Sequence, residues 1–183
     1  MSCIFNACAQ EKHEQHKKNT TTETKSDNKQ ALDESAAKSS IEEIIEHYLQ
    51  IKNALVSDNS KEAAVAGKKM FEAINKFDKS ALTVKQKEIY IEIEEDAKEH
   101  AEHIGENAEN IEHQREHFDI LSNDMYDLIK VFGSKQVLYV DFCPMYNNKG
   151  AKWLSESKTI KNPYYGRKMP SCGSVKEEIG SNK

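Results

Sequence analysis

Apolar positions along the chain fall into four stretches with helical spacing, followed by a stretch with a different rhythm. Ile41, Ile44, Ile45, Tyr48, Leu49, Ile51 and Leu55 recur at the three-and-four spacing of one helix face. Ser40-Ile41-Glu42-Glu43 has the form of a capping box, which predicts a helix start at Ser40. Ser57-Asp58-Asn59 stops this helix, and Ala63, Ala66, Met70, Ile74 and Phe77 mark a second stripe. Thr83-Val84-Lys85-Gln86 is another capping box, followed by Ile89, Ile93, Ala97 and Ile104, with Gly105 as the expected stop. A fourth stripe begins near residues 107–110. It runs through Ile111, Phe118, Leu121, Met125, Leu128 and Phe132 and ends at Gly133. Four amphipathic helices with short connections predict a mainly α fold, an antiparallel four-helix bundle. Residues 136–142 are β-rich and predict a strand lying on the bundle. A loop-rich Cys/Met segment follows.

The two ends of the chain read differently. Residues 9–38 carry Lys, Glu, Thr, Ser, Asn, Gln and His with almost nothing to bury, which predicts a disordered polar tether. Residues 1–8 are apolar, with small Ala7 before Cys8, and look like the remnant of a lipoprotein signal with Cys8 as the lipidated residue. The domain itself is expected over residues 39–175, with a disordered tail over 176–183. The hydrophobic fraction of 37% and the charged fraction of 31% fit a domain that carries such polar extensions. A net charge of −5, with no basic stripe, argues against a nucleic-acid partner. No apolar run is long enough to span a bilayer, so membrane contact is expected only through a lipid anchor at Cys8.

Candidate chemistry gathers near the carboxy terminus. Residues 137–173 hold two of the four Cys, the only Trp and all three Pro. Cys143 and Met145 stand two apart, Met169 and Cys172 three apart. Thiolate and thioether are soft donors that select Cu(I) and similar ions over Mg²⁺ or Ca²⁺. Closure of these four sulfurs on one metal is one expectation. A Cys143–Cys172 disulfide is the other, stabilising by roughly 3–4 kcal/mol for a loop of about 30 residues. The spacing does not fit a structural zinc site built on two tight ligand pairs.

The helices add histidines. His100 and His103 are three apart and His113 and His117 four apart, so each pair shares a helix face. His113-Gln114-Arg115-Glu116-His117 also matches the H-x-x-E-H pattern of inverted zinc peptidases. A pattern this short arises easily in a chain rich in Glu and His. A zinc hydrolase through His113, Glu116 and His117 is therefore the third reading, and the expectation is that the protein is not an enzyme. If Ile111, Phe118, Met125 and Phe132 mark the core seam, His113 faces solvent. His117 then lies at the flank, where it could reach the carboxy-terminal loop as a further ligand.

Several of these stretches together resemble a bacterial family described as a domain of unknown function. They are Tyr48-Leu49 with Lys52-Asn53-Ala54-Leu55, and Ile111-Glu112-His113-Gln114-Arg115 with Phe118 and Leu121-Ser122. Tyr139-Val140-Asp141-Phe142-Cys143-Pro144-Met145 and Gly150-Ala151 with Trp153-Leu154-Ser155 add to them. So does Ile160 with Asn162-Pro163-Tyr164-Tyr165-Gly166, Met169 and Cys172-Gly173. The resemblance covers about residues 40–175. The family occurs alone in exported proteins and fused to periplasmic adaptor subunits of copper/silver efflux pumps. It thus implies a periplasmic or outer-membrane-anchored lipoprotein with a heavy-metal role. The expected function is a Cu(I)- or Ag(I)-binding buffer or carrier for an efflux system, with Cys143, Met145, Met169, Cys172 and His117 as candidate ligands. The alternative is a disulfide-stapled, metal-free module that docks on an efflux adaptor or another envelope protein.

Overall fold

In the computed structural model, the described backbone runs from Thr24 to Gly180, and side-chain surroundings are described from Ala37 onward. Residues 1–23 and 181–183, and with them the expected lipidation site Cys8, lie outside the described residues. Four helices come first: α1 (Thr24–Val56), α2 (Ser60–Lys76), α3 (Val84–Glu106) and α4 (Ile111–Phe132). Three strands follow: β1 (Val137–Cys143), β2 (Ala151–Ser155) and β3 (Ser174–Gly180). The mainly α, four-helix arrangement expected from the periodicity is present.

Helix ends show which local signals prevailed. Thr83 caps α3 as expected, its side chain accepting from the Gln86 N–H while Gln86 reaches back to the Thr83 backbone. Asn59 and Asn110 cap α2 and α4 with side chains that accept from the Glu62 and His113 N–H groups, and Gly133, at φ 73°, ends α4. Ser40 does not start α1. The helix begins at Thr24, so the part of the expected tether from Thr24 to residue 38 is helical. Residues 24–40 contain no Gly or Pro, and a helix already nucleated by packing extends cheaply through Ala, Lys, Glu and Gln.

Gly105 is also not a stop. It lies inside α3, which runs on to Glu106, and serves close packing. A Cβ placed on Gly67 of α2 would stand 2.8 Å from both the Ala101 carbonyl oxygen and the Gly105 nitrogen. These backbones can approach only because Gly67 and Gly105 carry no side chain. The shared core joins Ile41, Ile44, Ile45, Tyr48, Ile51 and Leu55 to Met70, Ile104, Phe118, Leu121 and Met125, all essentially inaccessible.

The carboxy-terminal part is a three-stranded antiparallel sheet, ordered β2-β1-β3, where one strand was expected. The disordered tail expected over 176–183 is a strand as far as Gly180. Pairing of β3 with β1 satisfies its backbone, while Ile179 is buried and Glu177 accepts from Tyr126 Oη and Lys130 Nζ of α4. Tyr48 ties the sheet to the bundle. Ser122 donates to the Phe118 carbonyl, so the Tyr48 hydroxyl donates to Ser122 Oγ (2.8 Å) and accepts from the Leu154 N–H (3.0 Å).

Candidate metal centre

The turn between α3 and α4 spans only residues 107–110, so the end of one helix lies beside the start of the next. His100 and His103 precede that turn by about as many residues as His113 and His117 follow it. All four meet. The ligand nitrogens of His103, His113 and His117 lie within 4.8 Å of one another. The His103 and His117 rings stack at 4.2 Å, and His113 meets His117 edge-on at 4.5 Å. His100 Nδ1 stands 3.0 Å from His117 Nδ1, so one ring donates and the other accepts. All four rings are half-buried.

This arrangement suits a metal ion in three respects. Two nitrogens on one ion stand at most about 4.2 Å apart, so small rotations of half-exposed rings close the trio on a cation. His100 can fix the His117 tautomer, the role an outer-shell partner plays at metal sites. Protonation of His117 is also disfavoured. Burial, then the neighbouring His103, His113 and His100, pull His117 down to about 4, and burial lowers His100 as well. Imidazoles that are neutral near pH 7 are free to donate their lone pairs.

The sequence placed His117 toward the carboxy-terminal loop and His113 toward solvent. Both instead face the α3 histidines. The two spacings were legible, but their convergence depends on the relative phase of two helices. The near-equal distances from a short turn were the available signal. Glu116 of the H-x-x-E-H match is exposed and lies 3.6 Å from His113 Nδ1.

The sulfur set is partly assembled. Cys143 Sγ and Cys172 Sγ are 2.8 Å apart, both as free thiols, with Cys143 fully buried and Cys172 half-buried. The hydrogen bond to Cys143, and then burial, push the Cys172 thiol up to about 11. The Met145 side chain is 54% exposed and Met169 is half-buried.

Buried polar anchors fix this segment. Asn162 donates to the Cys172 carbonyl and accepts from the Tyr164 and Tyr165 N–H groups. Arg115, only 3% exposed, donates to the Pro163 carbonyl and to Asp58 Oδ1, tying the segment to the α1–α2 turn. Trp153 is fully buried in β2 opposite Asp141, and a Cβ on Gly173 would meet its ring at 2.8 Å. It therefore sits beside the Cys172 segment.

A family described as "Protein of unknown function (DUF3347)" matches residues 44–137, just over half the chain. The chain belongs to the DUF3347 family. The matched span of the DUF3347 domain takes in the carboxy-terminal part of α1 from residue 44, all of α2–α4 and the four clustered histidines, and it stops where β1 begins. Cys143 and Cys172 lie beyond it. No curated protein and no solved structure matches the chain. No helix among the described residues is long and apolar enough to cross a membrane.

Proposed function

We propose that this DUF3347 protein binds a transition-metal ion at His103, His113 and His117, and that it works outside the cytoplasm as a copper or silver buffer or carrier for an efflux system. The convergence of the three imidazoles carries the reading. Imidazole binds copper well in either oxidation state, whereas hard Mg²⁺ and Ca²⁺ prefer oxygen donors. A site on the outer face of an α3–α4 hairpin exchanges its ion readily, which suits delivery. The efflux partner and the export route follow from the family resemblance.

Competition titration with chromophoric chelators tests the site. Reduced wild type should take one equivalent of Cu(I) or Ag(I) that a His113→Ala/His117→Ala variant binds at least about tenfold more weakly. Equal affinities would sink the reading. The sulfur set is the second reading, favoured by the contact between the two thiols. It predicts instead that Cys143→Ser or Cys172→Ser costs the affinity, with smaller losses for Met145→Leu and Met169→Leu.

A further inference from the structure

We infer that Cys143 and Cys172 form a reversible redox pair, closing as an intramolecular disulfide when an external disulfide oxidises them. Cys143 is the last residue of β1, and Cys172 lies two residues before β3, the strand that pairs with it. The antiparallel register places Phe142 opposite Ser174, so the thiols project from neighbouring positions at one end of the sheet. They already touch at 2.8 Å as free thiols. The backbone around Cys172 is held by the Asn162 side chain, which donates to the Cys172 carbonyl at 2.7 Å, and by the Met169 carbonyl, which accepts from the Cys172 N–H. Closing the bond brings the two sulfurs about 0.8 Å closer than this contact.

Accessibility gives the two sulfurs different roles. Half-buried Cys172 is open to attack, while Cys143, fully buried behind it, is the resolving thiol. Cys172, whose thiol the contact with Cys143 and burial hold up to about 11, reacts through a small thiolate fraction. That thiolate attacks one sulfur of the external disulfide, forming a mixed disulfide and releasing one thiolate. The Cys143 thiolate then attacks the Cys172 sulfur and releases the second. Two protein thiols are oxidised, one disulfide is reduced to two thiols, and the two cysteine protons pass to the departing thiolates. The bond encloses β2, Trp153 and Met145 in one covalent loop. It also consumes the two thiols of the soft-donor set and leaves there only the thioethers of Met145 and Met169. The inference stands whether or not the histidines bind metal.

The test uses the full chain with Cys3→Ser and Cys8→Ser, so that only the pair is counted. Protein is equilibrated in buffers of reduced and oxidised glutathione, quenched in acid, and labelled with a maleimide in urea. Intact mass and peptide mapping then report the outcome. Labelling should fall from two thiols to none across one transition, with the loss of two hydrogens and a Cys143–Cys172 cross-linked peptide. Trp153 emission should change at the same midpoint, because its ring packs beside Gly173. The inference is overturned if both thiols stay labelled at every ratio. It is also overturned if a glutathione adduct accumulates on Cys172 without closure.

Discussion

Asp141 offers the sharpest test of how the sheet is built. Its side chain is fully buried in β1, and neither carboxylate oxygen has a hydrogen-bond partner. Lys52, the cation whose charge acts on it, is also inaccessible and is engaged at 2.7 Å with Glu156. Burial pushes the Asp141 carboxyl up to about 7 against the pull of Lys52. In the unfolded chain the same group titrates near 3.9. The folded state therefore holds a proton across a window where the unfolded state has released it. Stability from this group is complete below about pH 4 and is lost as pH rises through 7. A gap of about 3 pH units at 1.36 kcal/mol each is worth roughly 4 kcal/mol. Asp141→Asn keeps the shape and removes the charge. Urea unfolding of wild type and variant should give similar midpoints at about pH 3. At pH 8 the variant should be the more stable, by up to about 4 kcal/mol. Taking the difference at each pH cancels titrations common to both proteins. A difference that stays constant across the range would show that Asp141 is ionised and solvated in the fold, refuting the reasoning.

Other substitutions probe the packing that positions the sites. Tyr48→Phe leaves the Leu154 N–H without its partner and should cost about 1–3 kcal/mol in chemical denaturation; an unchanged midpoint would mean that the α1–α4–β2 tie adds nothing. Gly67→Ala gains roughly 1 kcal/mol of helix propensity but drives a methyl into the α3 backbone, so a net loss of about 1–2 kcal/mol is expected. A stabilised variant would show that α2 and α3 are not in close contact. The His117 imidazole, followed by NMR in metal-free protein, should titrate near pH 4, where burial and the neighbouring histidines place it; a midpoint above 6 would show a cluster open to water.

Much of the fold was legible because its signals are local. Stripe spacing gave four helices, and Thr83 with Gln86 marked the start of α3 where it lies. The failures have physical causes of the same kind. Ser40 and Glu43 have the residues of a cap, but nothing upstream halts the helix, so the pattern is interior. Gly105 looked like a stop because its packing against Gly67 is a tertiary fact. Strand β3, Ser-Val-Lys-Glu-Glu-Ile-Gly, buries only Ile179, and its stability comes from pairing with β1, which composition does not report. At the candidate sites, the thiol pair was legible as two soft-donor clusters. The histidine cluster was visible only as two separate pairs, since its assembly needs the antiparallel return of α4 along α3.

The most direct test of the histidine site is X-ray absorption at the metal edge of reduced protein loaded with one equivalent of copper. If His103, His113 and His117 hold the ion, the first shell is nitrogen at about 2.0 Å with the outer scattering of imidazole rings. That signal should disappear from the His113→Ala/His117→Ala variant. A first shell dominated by sulfur at about 2.3 Å, unchanged in that variant, would contradict the account and move the metal to Cys143 and Cys172.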